Sequence, residues 1–216
     1  MKKNKKMIVA LGLLLTGALT FGVVSSSAID PLTSELSRIK TNTESNSKLE
    51  KKALVQVGQK EITNIDVLNF KDFNSISQSV SNVTDSEILK HMIKEELFLQ
   101  LAEQEGVSAT LEEGRQEANK MRDLLSEQPK EVQDTHKMLI EASGVTEEEH
   151  WEKIAPGQYQ KILSKQNLAE KILNEHASAQ KEPADPATVL QEFKDQLLQS
   201  SISNGTVKFI DKSISL

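Results

Sequence analysis

The sequence predicts a mostly α-helical domain with a small β-sheet formed by an N-terminal hairpin and a C-terminal strand. Three observations predict it. Threonine followed three residues later by a carboxylate recurs at Thr63–Asp66, Thr84–Glu87, Thr110–Glu113 and Thr146–Glu149. In that pattern the hydroxyl and the carboxylate satisfy free amides at a helix start. Between these points apolar residues recur at three- and four-residue spacing, the period of a helix face. Alternating β-formers stand only at 53–62 and 206–210, on either side of the helical stretch.

Charge sets the first segment. Lys2, Lys3, Lys5 and Lys6 precede an apolar run from Met7 to Val24, and Ser26 and Ala28 fit the small-x-small pattern of a signal-peptidase site. Residues 1–28 are expected to be a signal peptide or an N-terminal membrane anchor with its lysines inside. Gly12, Thr16, Gly17, Thr20 and Gly22 dilute the run and favour cleavage. Either way the remainder is expected to be extracytoplasmic, secreted or tethered to the outer face of the cytoplasmic membrane. Residues 29–50, rich in Ser, Thr and Asn, read as a flexible polar linker, with at most a short helix near Leu32–Ile39.

Residues 51–216 read as one helical domain. Ala53–Val57, the Gly58-Gln59-Lys60 turn and Glu61–Ile62 form the hairpin. After Thr84 a helix from Asp85 to about Glu105 carries Leu89, Met92, Ile93, Leu97 and Leu101 on one face, and Gly106 ends it. The helix from Leu111 to about Ser126 carries Leu111, Ala118, Met121 and Leu125, and Pro129 closes it. A short segment around Val132–Glu141 leads to Gly144. The helix opened by Thr146 meets Pro156, where a break or kink is expected before a continuation from Gly157 to His176. That continuation has Ile162, Leu163, Ala169, Ile172 and Leu173 as its stripe. Lys181–Pro186 is a connection, and Ala187–Ser200 a last helix with Val189, Phe193 and Leu197. Thr206–Ile210 alternates as a strand, and a lone strand needs a partner. The hairpin is the one other β candidate, so the two are expected to pair.

Composition narrows the function. Residues 1–28 hold four of the 26 basic residues and none of the 32 acidic ones, so the remainder carries a net charge of −10. That balance argues against a nucleic-acid partner, which needs a basic face. Cysteine is absent, which removes disulfides, thiolate chemistry and a lipid-carrying cysteine. One Trp and one Tyr make an aromatic cofactor cleft improbable. No nucleophile elbow, zinc-helix, phosphate-loop or dinucleotide pattern occurs. The histidines, His91, His136, His150 and His176, lie far apart in the chain. Glu147-Glu148-Glu149-His150 looks metal-like, but a solvated helix start explains it, since acids suit a positive helix N-terminus. The expectation is a protein that is not an enzyme and holds no metal or cofactor.

Three stretches carry a family resemblance. Ala53-Leu54-Val55-Gln56-Val57-Gly58-Gln59-Lys60-Glu61-Ile62-Thr63, followed by Asp66, is similar to the opening of the SurA/PrsA-type N-terminal chaperone domain. Ile88-Leu89, Met92-Ile93 and Leu97 through Ala102, then Gly106-Val107-Ser108, resemble that family's long helix and turn. Gly144-Val145-Thr146-Glu147-Glu148 resembles its later helix start. The resemblance covers roughly residues 53–176. It implies a helical domain that holds unfolded or nascent exported polypeptides on an open apolar surface. Relatives often insert a parvulin prolyl-isomerase domain. The short 127–145 interval leaves no room for one, so isomerase activity is not expected.

The expected function is therefore that of an extracytoplasmic chaperone-like protein whose partners are unfolded or exported polypeptides, with membrane contact only through the N-terminal segment. Met121, Leu124, Leu125, Met138 and Leu139, on the middle helices, are the candidate polypeptide-binding residues, since flexible apolar side chains adapt to varied clients. The competing reading of each is simple core, because apolar helical stripes normally face one. The alternative function is a membrane-associated interaction or assembly module for one specific cell-surface partner.

Overall fold

A computed structural model describes residues 29–74, 83–179, 185–212 and 214. The segment expected as signal peptide or anchor, 1–28, lies outside the described residues, as does most of the connection at 181–186. In chain order the elements are α1 (Ile29–Asn46), β1 (Ala53–Val57), β2 (Lys60–Thr63), α2 (Asn64–Asn74), α3 (Asp85–Gln104) and α4 (Leu111–Ser126). They continue with α5 (Lys130–Ala142), a helical turn (Glu147–Glu149), a π-helical turn (His150–Ile154), α6 (Ala155–Ala179), α7 (Pro186–Ser203) and β3 (Val207–Phe209). The protein is mostly helical with one three-stranded antiparallel sheet. The described residues pack as two compact units, built from 29–51, 65–74, 83 and 111–159, and from 52–64, 84–110 and 160 onward.

Each of the four threonine signals stands immediately before a helical element. Thr84 forms the full reciprocal cap: its hydroxyl accepts from the Glu87 amide at 3.2 Å, and the Glu87 carboxylate accepts from the Thr84 amide at 2.8 Å. Thr84→Ala is expected to lower stability by about 1 kcal/mol, measured as a shift of the urea midpoint at unchanged slope. Thr146 accepts from the Glu149 amide. A cap absent from the sequence expectations opens α7: the Asp185 carboxylate accepts from both the amide and the hydroxyl of Thr188, with Pro186 in the first turn.

The second unit contains the sheet, in the order β2-β1-β3. The terminal strand pairs with the hairpin as expected, Val57 opposite Val207 and Val55 opposite Phe209. Val55 and Val57 are fully buried and Val207 nearly so, whereas Phe209 is half-buried. The hairpin turn holds Gly58 at φ +57, with the Gln100 carboxamide against it, so that an added Cβ would lie 2.6 Å from Gln100 Oε1. Gln100 Nε2 donates to the Val57 carbonyl at 3.0 Å, which ties the turn to α3.

Packed on the sheet, α3 buries Ile88, Leu89, Ile93, Leu97, Phe98 and Ala102. Met92 and Leu101, expected on its inner face, are half-buried. Phe98 centres a cluster with Leu168 and Ile172 of α6 and Val189 of α7, and Phe193 packs edge-on to its ring. Over that cluster Glu95 accepts from Lys165 and Lys194, each at 2.6 Å. Burial alone would push the Glu95 carboxyl up, but the two ammonium groups hold it down at about 2.

Candidate functional site

The five candidate residues fall in the first unit, on α4 and α5. The structure separates them by burial. Leu125 is buried, Leu124 is 38% exposed, and Met121, Met138 and Leu139 are half-buried. Leu125 therefore belongs to the core, while its neighbour Leu124 faces solvent, as adjacent positions on a helix must diverge. Leu111, expected on the same inner stripe, is instead 50% exposed. It stands at the first position of α4, at the very start of the stripe.

Met138 and Leu139 pack against a buried cluster of Leu36, Ile39, Phe73 and Ala142. Leu36 and Ile39 belong to residues 29–46, expected as a flexible polar linker. That expectation is corrected: the segment is an α-helix, and it packs along α5. Its apolar stripe is narrow, with Leu36 and Ile39 buried and the Thr43 side chain beside them in the period i, i+3, i+7. A polar row runs alongside. Arg38, Asn42 and Asn46, one turn apart, all donate to the Asp72 carboxylate of α2, at 3.4, 2.7 and 3.1 Å. Asn46 also donates to the buried Asn69 at 3.0 Å. One carboxylate thus holds three successive turns of α1. Tertiary contacts of this kind, more than helix propensity, stabilise a short polar helix.

The second feature of this unit is aromatic. His136 of α5 stacks on Trp151 with ring centres 5.3 Å apart and planes 15° apart. His150 packs edge-on to both, at 5.7 Å from His136 and 5.0 Å from Trp151. All three are buried. The solvated helix start expected at 147–150 is therefore corrected at its last residue: Glu147 and Glu148 are exposed, but His150 is in the core. Burial pushes both imidazoles down to about 4, and for His150 the neighbouring His136 adds to the effect.

Of the break or kink expected at Pro156, the break is corrected. Helix continues through it, because the π turn at His150–Ile154 widens the backbone just before the proline. The Ala155 amide donates to the His150 carbonyl, five residues back. That widening relieves the helix where Pro156 has no amide to give and would crowd an earlier carbonyl. The consecutive residues His150 and Trp151 both end up inside.

No group of His, Asp and Glu among the described residues could hold a metal ion, and no helix among them is long and apolar enough to cross a membrane. In the second unit, a shallow open depression of about 590 Å³ is lined by Val107, Asn167, Glu170, Lys171 and Asn174, among others. It is polar at its rim, with Lys171 paired to Glu105 at 2.5 Å. Comparison with known protein families, with curated proteins and with solved structures finds no match to this chain.

Proposed function

We propose that this chain is an extracytoplasmic chaperone-like protein that binds unfolded or nascent exported polypeptides, without prolyl-isomerase activity, and that it is related to the SurA/PrsA-type domains. The observation that carries the proposal is the set of incompletely buried Leu and Met side chains on α4 and α5: Leu124, Met121, Met138 and Leu139. Such side chains offer adaptable apolar contact without a shaped pocket, which suits clients that share no sequence. The strand, glycine turn and helix start at 53–66, and the long helix running to Gly106-Val107, are the stretches on which the resemblance rests. The lysine block and apolar run at 1–28 support export.

The test is suppression of aggregation. Purified protein in slight excess should slow light scattering by two unrelated chemically denatured proteins as they are diluted into buffer. Leu124→Ser with Met121→Ser should weaken that protection several-fold while leaving the unfolding free energy from urea melts within about 1 kcal/mol of the parent, since both side chains are at least partly exposed. Protection of neither protein would overturn the chaperone reading, and protection unchanged by the double substitution would remove α4 as the binding surface.

A further inference from the structure

We propose that Phe73 of α2 and Met138, Leu139 and Ala142 of α5 form a helix-binding groove, that α1 is its exchangeable resident, and that amphipathic helical segments of clients replace it. The inference rests on the polypeptide-binding reading above and names the class of ligand. Three observations carry it.

The first is the form of α1. Its inward stripe follows the i, i+3, i+7 anchor pattern by which an amphipathic helix fills an apolar groove, and the groove residues are those that Leu36 and Ile39 touch. The second is the make-up of its inward face over 33–46, where two apolar side chains, Leu36 and Ile39, are buried. The Thr43 hydroxyl is buried on the same face without a hydrogen-bond partner, an unfavourable contact that a leaving helix would relieve. The third is the latch. Arg38, Asn42 and Asn46 converge on Asp72, whose side chain is 15% exposed. A carboxylate at the groove's edge selects for a helix with cationic or carboxamide donors spaced four residues apart beside its apolar stripe.

Competition then follows from mass action. A resident in cis lowers the apparent affinity of any external helix by the fraction of time the groove is open. Loosening the resident's side of the latch should raise that affinity without touching the groove itself, whereas removing the Asp72 carboxylate weakens resident and competitor alike. Two full-length variants test this: Asn42→Ala with Asn46→Ala, which loosens the resident and leaves α2 and α5 intact, and Asp72→Ala, which removes the carboxylate for resident and peptide alike. The probe is a fluorescent peptide with the sequence of residues 29–46, with a scrambled peptide of equal composition as control. In both variants amide exchange over 33–46 should accelerate. The peptide should bind the Asn42→Ala/Asn46→Ala variant about tenfold more tightly than the parent and Asp72→Ala no more tightly than the parent, because there peptide and resident lose the same latch, and the scrambled peptide should bind neither. Tenfold corresponds to the loss of a charge-assisted hydrogen bond or two. Accelerated exchange in Asn42→Ala/Asn46→Ala with no gain in peptide binding would overturn the inference, as would exchange that the substitutions leave unchanged. If the peptide binds as expected but no variant protects denatured proteins, the groove stands and the chaperone reading falls, so the two failures are distinguishable.

Discussion

Removal of residues 205–216 should lower the stability of the second unit by about 4–6 kcal/mol. Val207 is buried against Val57, and taking a valine out of a core forfeits about 1.5–2 kcal/mol. Half-buried Phe209 adds roughly 1–2 kcal/mol on the same basis. The backbone contributes the rest. β3 is bonded to the central strand β1, and on either side the Gly58 amide donates to the Thr206 carbonyl at 2.9 Å and the Ile210 amide to the Leu54 carbonyl at 2.9 Å. Losing β3 turns β1 into an edge strand and leaves those groups to water, at about 1 kcal/mol for each hydrogen bond. Urea melts of the truncated and parent chains measure the difference. Phe209→Ala alone should cost only about 1–2 kcal/mol, because its ring is not enclosed, and Val207→Ala about the same. A truncated chain that melts with the parent would show that the strand adds nothing.

That pairing was legible because it followed from elimination: a β-forming terminus and a β-forming hairpin in an otherwise helical chain have only each other. Helix starts were legible for a local reason, since a threonine and the acid three residues on satisfy amides within one turn. α1 was not legible. Its sequence between Thr33 and Asn46 is almost entirely polar, and what makes it a helix is Asp72, which follows it by 26 residues at the nearest donor. Nothing within a helical turn signals such a partner. Pro156 signalled an irregularity in the helix but not its form. Its local effect is strong, and the accommodation, a π turn, is a property of the backbone that no residue type announces. Among the candidate residues the helical period told Leu125 from Leu124 only as a difference of face; which face was inward depended on α5 and on the π turn, both of which α4 contacts.

The histidine pair makes the first unit sensitive to mild acid. His136 and His150 are buried and neutral, each held at about 4 against an ordinary value of 6.5. The unfolded chain therefore takes up protons that the folded chain refuses between those two values, and by linkage stability falls as pH falls. The contribution of the neutral rings is fully present above about pH 6.5 and is lost progressively down to about pH 4. A depression of this size corresponds to roughly 3 kcal/mol per ring, less for the second of two rings that repel when charged, so the pair should cost about 3–5 kcal/mol across the window. Glu95 titrates elsewhere: its carboxyl is held down at about 2, so what it contributes is present above its ordinary range and lost only as pH falls below about 4.5. The single tryptophan, Trp151, is stacked on His136 and reports on this unit alone. Its emission, followed through urea melts at pH 7.5, 6.0 and 5.0, should show a midpoint that drops steadily with pH. His136→Phe with His150→Phe should flatten that dependence even if the variant is less stable at pH 7.5, because neither phenyl ring can take up a proton. A parent midpoint that holds steady from pH 7.5 to 5.0 would show that the rings are not neutral and enclosed, and a slope that survives in the double variant would assign it to other groups.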